Sequence, residues 1–260
     1  MLPWYLRVRL YFQRDAMSLF GSTAATSANI TVDLSQDVEV PQGPEDSISE
    51  IAFSPTAEVL SVASWDNKIR IYEIGQGGAT GKAMYEHTGP VLSTHFSKDG
   101  TKLASGSADK SAKIFDLGSG QNQQVAAHDM PIKSVKFVTV GGTECLATAS
   151  WDKSLKYWDM RRDNSCGLFW LIIESNPIAT VSLPERAYTM DTKDNLLVIG
   201  TADRHVAIFN LNNPTAIFKT LQSPLKFQTR VVSCFTTGNG FAIGSVEGRC
   251  AIQYVEDKVF

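Results

Sequence analysis

Ser150-Trp-Asp-Lys-Ser-Leu-Lys-Tyr-Trp-Asp159 reads as a tight turn feeding a short strand. Ahead of it lie Leu146-Ala-Thr-Ala-Ser150, a run of small and apolar residues, and Pro131-Ile-Lys-Ser-Val-Lys-Phe137, which alternates apolar and polar positions. The same order of three segments occurs at 47–55, 60–66 and 69–73, and again at 90–97, 103–109 and 112–116. It returns at 186–190, 197–203 and 206–210, and at 230–235, 241–247 and 250–254. An acidic residue closes each middle segment: Asp66, Asp109, Asp152, Asp203 and Glu247, at intervals of 43, 43, 51 and 44 residues. Strict alternation over so few residues is the pattern of half-buried strands. Turns such as Lys98-Asp-Gly-Thr101 and Trp65-Asp-Asn-Lys68 carry the Asp, Asn and Gly that tight reversals need. The chain is therefore expected to be all-β and built from equivalent units.

A period of 40–45 residues made of short strands resembles the WD40 repeat, and it predicts a β-propeller. One four-stranded blade cannot cover both its faces, and radial packing of blades does so. Strands such as Leu103-Ala-Ser-Gly-Ser107 suit the crowded inner part of a blade. Tyr72, Phe115, Trp158, Phe209 and Tyr254 are expected at one recurring position, wedged between blades. Closed rings have about 4–8 blades, so five could close. Rings of this repeat more often have seven, and the expectation is five blades of a seven-bladed ring, with an apolar blade face open near Val255.

The histidines fit the same register. His87 precedes Asp109 by 22 residues and His128 precedes Asp152 by 24. In WD40 repeats such a His bonds the turn Asp, with a Ser or Thr and a strand Trp completing the network. Here that resembles His128, Asp152, Trp158 and either Thr148 or Ser150, with His87 and Asp109 one repeat earlier. A His, Asp and Ser set also suits hydrolytic catalysis. A catalytic triad does not recur once per structural unit, so the structural reading is preferred. His95 and His205 carry no recognisable chemistry.

Composition narrows the function. The 260 residues are 43% hydrophobic and 20% charged, with net charge −3. A wholly basic nucleic-acid binder would lean the other way, so any such contact needs a local basic patch. Cys145, Cys166, Cys234 and Cys250 show no C-x-x-C spacing and read as reduced thiols without a zinc site. No stretch reaches the roughly 20 apolar residues of a membrane helix. The apolar N-terminus is broken by Arg7 and Arg9, unlike a signal peptide. No phosphate loop, metal cluster or isolated nucleophile–base pair supports an enzyme, a cofactor or a small-molecule substrate.

Residues 1–44 read as a flexible tail, with 1–16 an extension ahead of a more natural start at Met17 and a candidate strand at Ile30-Thr-Val-Asp-Leu34. Residues 45–260 read as the partial propeller. The 51-residue interval holds an interruption at 162–174, rich in apolar residues, which is either a hydrophobic binding loop or untranslated sequence.

Several segments together resemble one family. They are Met17-Ser-Leu-Phe-Gly21, Pro44-Glu-Asp-Ser-Ile48, His87-Thr-Gly-Pro-Val-Leu92, Gln124-Val-Ala-Ala-His128 and the opening segment, Ser150 to Asp159. More specific are Leu183-Pro-Glu-Arg186, Ser223-Pro-Leu-Lys226 and Gly244-Ser-Val-Glu-Gly-Arg-Cys-Ala-Ile252, which are not generic to the repeat. They are similar to the WD40 mRNA export factors that bind the nuclear-pore protein of the Gly-Leu-Phe-Gly class. The resemblance runs from Met17 to Tyr254; residues 162–174 have no counterpart, and the last two blades of the family's ring are missing. It implies a non-catalytic adaptor in export of poly(A) RNA, in the nucleus and at the nuclear pore, shuttling to the cytoplasm. A nucleoporin segment, poly(A) RNA or an mRNP, and mitotic spindle or checkpoint proteins are the implied partners. The alternative is a WD40 scaffold of another assembly, such as a spindle-checkpoint or ubiquitin-ligase adaptor.

Lys133, Arg186, Lys226, Arg230 and Arg249 are the candidate partner contacts. Lys133, Arg186 and Arg230 stand at or next to first-strand starts and Lys226 in the connection leading there, whereas Arg249 follows a Glu-Gly turn and has no assigned face. Each could pair with acidic side chains or position phosphates, or be solvated surface charge. Tyr188 and Phe227 could stack on a base or be packing residues. Trp65 and Trp151 could be interface anchors, but their recurrence favours a role in the blade.

Overall fold

The computed structural model describes residues 40–75, 78–160 and 176–255. The expected extension at 1–16, the candidate strand at 30–34, most of the tail and the interruption at 162–174 lie outside the described residues. No helix among the described residues is long and apolar enough to cross a membrane.

Among the described residues nineteen strands form five antiparallel sheets. Blade 1 holds β1 (Ile48–Phe53), β2 (Val59–Ser64), β3 (Lys68–Gly75) and β4 (Gly78–Glu86). Blade 2 holds β5 (Val91–Phe96), β6 (Lys102–Ser107), β7 (Ser111–Asp116) and β8 (Asn122–Ala127). Blade 3 holds β9 (Ile132–Val140), β10 (Thr143–Ser150), β11 (Ser154–Asp159) and β12 (Ala179–Ser182). Blade 4 holds β13 (Ala187–Lys193), β14 (Leu196–Thr201), β15 (His205–Asn210) and β16 (Ile217–Gln222). Blade 5 has three strands among the described residues: β17 (Thr229–Cys234), β18 (Gly240–Ser245) and β19 (Cys250–Tyr254). Each sheet keeps its strands in chain order, as a meander must when turns are short.

The blades pack radially through their first strands, with β1 against β5, β5 against β9, β9 against β13 and β13 against β17. A side chain on one first strand accepts an amide proton from the next. Glu50 Oε2 accepts from Thr94 N–H (2.9 Å), Ser93 Oγ from Val135 (3.1 Å) and Thr189 Oγ1 from Val232 (3.2 Å). Two residues further on, His95 Nδ1 accepts from Phe137 N–H (3.2 Å) and Asp191 Oδ2 from Cys234 N–H (2.7 Å). The bonds join equivalent positions, so the first strands run parallel and in register around the axis. All corresponding turns therefore lie on one face.

Small residues on the second strands allow this approach. A Cβ on Gly106 would sit 2.8 Å from Ile132 Cγ2 and Val135 Cγ1 of the next blade; on Gly200 it would sit 3.0 Å from Thr229 Cγ2. Ala63 and Ala149 hold the equivalent place in blades 1 and 3.

Between blades lie apolar layers. Phe115 packs with Ile69, Ile71 and Tyr85 of the preceding blade, Trp158 with Ala104, Ala112 and Ala126, and Phe209 with Cys145, Leu155 and Tyr157. With Tyr72 these are the expected wedge residues, all buried. Tyr254 corrects the expectation. Tyr72, Phe115, Trp158 and Phe209 pair opposite Leu60, Leu103, Leu146 and Leu197, but their counterpart opposite Phe241 is Gln253. Tyr254 pairs with Gly240, one residue out of phase. A one-residue shift turns a side chain to the other face of its sheet.

The described blades form an open arc. Ile51 is 41% exposed, while its equivalents Thr94, Val135, Met190 and Val232 are buried under a neighbouring blade. At the other end Val231 is 53% and Ile252 57% exposed. The apolar end face expected near Val255 is present in blade 5.

Candidate functional site

In every blade the first strand carries a register shift after its first pair: between Ile48 and Glu50, Val91 and Ser93, Ile132 and Ser134, Ala187 and Thr189, and Thr229 and Val231. A bulge re-aims the extra residue. Those residues are Ser49, Leu92, Lys133, Tyr188 and Arg230, so the same distortion recurs around the axis, at one end of the first strands. Lys133 and Arg230 are two blades apart, yet close enough to repel one another. Burial lowers the Lys133 ammonium pKa, the Arg230 guanidinium lowers it further, and Glu50 works against both. Tyr188 stands at the equivalent position of the blade between them.

The other candidates lie at the same end of the blades. Arg186 directly precedes β13, and its carbonyl accepts from the Ala202 amide (2.9 Å). Its exposed guanidinium lies 3.9 Å from Glu185. Lys226 and Phe227 are exposed in the connection from β16 to β17. Arg249 is in the β18–β19 turn, and Ser245 at that turn pairs with Thr229, the first residue of β17. The turn residue Val246 donates to the Gln228 carbonyl (3.0 Å). Register thus gives Arg249 the face that the sequence left unassigned; its Nε lies 3.7 Å from Glu247. Five cationic side chains from three blades share one face.

Beneath this face sit the histidine networks. His87 Nδ1 lies 2.9 Å from Asp109 Oδ2 and His87 Nε2 lies 2.8 Å from Ser105 Oγ. His128 Nδ1 lies 2.8 Å from Asp152 Oδ2 and Nε2 lies 2.7 Å from Thr148 Oγ1. The Asp152 carboxylate only accepts, so the His128 ring proton sits on Nδ1 and Nε2 accepts from the Thr148 hydroxyl, while Trp158 Nε1–H donates to Thr148 Oγ1 (2.8 Å). Thr148, not Ser150, fills the hydroxyl place. Ser150 Oγ instead shares its proton between the Met130 and Pro131 carbonyls (3.0 and 2.9 Å) and accepts from the Asp152 amide (3.1 Å). Blade 1 substitutes an ion pair, Arg70 Nη1 to Asp66 Oδ2 at 2.6 Å.

The electrostatics match a structural network better than a catalytic one. Burial lowers the pKa of His87 and His128 against the pull of their Asp partners, so both rings are neutral at pH 7. Burial alone would raise the Asp109 carboxyl; the Ser111 hydroxyl and amide, with His87, bring it down to about 2. Ser105 and Thr148 are fully buried, so neither hydroxyl can meet a substrate. Among the described residues no group of three His, Cys, Asp or Glu could hold a metal ion.

Two features were missed in the sequence. His95 is an acceptor between blades; burial, with Lys136 nearby, takes its pKa down to about 3. On the axial side of the first strands, Lys136 reaches Glu50 (3.7 Å) and Asp191 (3.9 Å), the two carboxylates that also clamp neighbouring blades. Their equivalents are chemically different residues, so no motif marks them.

Radial four-stranded units with a repeated His–Asp–hydroxyl network under a common face define a WD40-repeat propeller. The WD domain, G-beta repeat model matches residues 35–73, 79–116 and 120–159. Over 245 residues the chain is 59% identical to the poly(A)+ RNA export protein of Schizosaccharomyces pombe, covering 93% of this chain and 66% of that protein. It is 54% identical to the mRNA export factor GLE2 of Chaetomium thermophilum (92% and 65%) and 41% identical to Protein Rae1 of Drosophila melanogaster (91% and 66%). The chain spans just under two thirds of the length of these relatives. It belongs to the WD40-repeat family of mRNA export factors.

Proposed function

We propose that the chain is a non-catalytic adaptor in the nuclear export of poly(A) mRNA. It docks a nucleoporin segment on the face that carries Lys133, Arg186, Lys226, Arg230 and Arg249, and it contacts RNA. Its place of action is the nucleus and the nuclear pore, with passage to the cytoplasm. The observation that carries this reading is the convergence of those five cations on one face, with two of them at the bulges of first strands. The names of the relatives, which speak of poly(A)+ RNA and mRNA export, support the process. A group of cations around Tyr188, at the β13 bulge, suits a segment with acidic side chains and an apolar anchor. The domain reading, a tail ahead of a propeller starting near residue 45, is part of the proposal.

The test is a pull-down with the nucleoporin segment, using the chain and the double variant Lys226→Glu/Arg230→Glu. Both residues are exposed, so the fold should be kept. Capture should weaken by at least about tenfold, because each reversal replaces an attraction by a repulsion. Undiminished capture removes these residues from the interface.

A further inference from the structure

The turns between the second and third strands of the five blades share the cationic face, and their backbone is unusual. Asn67 (φ 69°), Lys110 (φ 71°), Lys153 (φ 64°) and Arg204 (φ 62°) all adopt the left-handed conformation; blade 5 uses Gly248 there (φ 80°). Only glycine enters that region without strain from its Cβ. Three blades in succession keep a long cationic side chain where glycine would relieve the backbone. Strain held at equivalent exposed positions points to use rather than to folding.

The three cations differ in their surroundings. Lys110 is exposed and makes no ion pair among the described residues. Lys153 pairs with Glu185 at the surface, and Arg204 Nη1 donates to the Leu225 carbonyl (2.9 Å). In blade 1 the same turn presents Trp65, 52% exposed. The carboxylates within the turns, Asp109 and Asp152, are each bound to histidine and serine side chains. Successive turns therefore offer an indole, then Lys110, then Lys153, one group per blade.

We infer that these turns form a track for the backbone of single-stranded RNA, with Lys110 and Lys153 on phosphates and Trp65 stacking on a base. The inference rests on the RNA contact proposed above and gives it a place separate from the bulges of the first strands. A repeated charge on a repeat-built rim suits a flexible polyanion, and an exposed indole suits bases of any sequence. One cation per blade beside an exposed indole matches a chain in which phosphates alternate with stackable bases.

The experiment measures binding of fluorescent oligo(A) to the 260-residue chain by anisotropy across a salt series. Lys110→Gly/Lys153→Gly relieves the left-handed strain, so its thermal midpoint should equal or exceed that of the parent chain. Its affinity should fall roughly tenfold at low salt, and the slope of log K against log salt should flatten by about 1.4, the loss of two phosphate contacts on a single strand. Trp65→Ser should weaken binding with the slope unchanged, since stacking releases no counterions. If the parent chain binds oligo(A) and the lysine variant binds equally with the same slope, the track is wrong and the RNA contact stands elsewhere. If the parent chain fails to bind at about 20 mM salt, the RNA contact itself falls. Competition by polyglutamate as strong as by oligo(A) at equal charge, or no effect of Trp65→Ser, overturns the nucleic-acid assignment in favour of an acidic peptide.

Discussion

Replacing Thr148 by valine keeps the shape of the side chain and removes one hydroxyl. That oxygen accepts the Trp158 indole proton at 2.8 Å and lies 2.7 Å from His128 Nε2, in a fully buried place. Valine leaves an indole N–H and an imidazole nitrogen without partners, and no water can reach them without opening the blade. Each such group costs about 1–3 kcal/mol, so the loss should be about 2–5 kcal/mol. Urea unfolding of the whole chain measures it, provided that the m-value is unchanged. The coupling to the indole is separable. Trp158→Phe copies blade 2, where Phe115 stands at the equivalent position, and it leaves the bond between Thr148 and His128. In that background Thr148→Val orphans only the imidazole nitrogen, and its cost should fall by about 1–2 kcal/mol. A loss below about 0.5 kcal/mol, or the same loss in both backgrounds, would refute the view that Thr148 joins strand, turn and histidine into one unit.

Acid should weaken the fold in two overlapping steps. His87, His95 and His128 have folded pKa values below that of the unfolded chain, so unfolded chains take up protons first and stability drops as pH falls below about 6.5. For His95 that loss continues down to about 3, and it amounts to about 2 kcal/mol by about pH 5. The lowered Asp109 adds a further loss below about 3.9, complete only near 2. A urea midpoint that stays level or rises between about pH 7.5 and pH 5 contradicts the assignment of buried neutral rings. Gly106→Ala should destabilise by about 1–3 kcal/mol, because the new Cβ falls 2.8 Å from two methyls on β-branched side chains that cannot swing away. Thermal denaturation checks it, and a neutral or stabilised variant would mean that blades 2 and 3 sit further apart.

Much of the fold was legible in the residues because it is local. Turn chemistry at Asp66, Asp109 and Asp152 and two-residue alternation fix each blade without reference to the others. The His–Asp pairs were legible because they keep step with the repeat. The choice between Thr148 and Ser150 was not, since hydroxyls two residues apart on a strand share a face and only the distance to His128 separates them. Aromatic content misled at Tyr254, where the register gives the wedge position to Gln253. The clamps between blades, Glu50, Ser93, His95, Thr189 and Asp191, share no residue type. Any acceptor of suitable length serves there, so no pattern betrays them.

The candidate site divides the same way. The amino-acid order alone determined that five equivalent strand groups exist, that their turns need acidic corners, and that cations stand near the strand starts. It could not place Lys133 within electrostatic reach of Arg230, 97 positions later, or give Arg249 a face. Those meetings depend on first strands running parallel and in register about an axis, with a bulge at one level of each. Pairing within a hairpin is decided by neighbours in the chain. Contact between blades is decided only when whole sheets pack, and that packing made separate charges into a common surface.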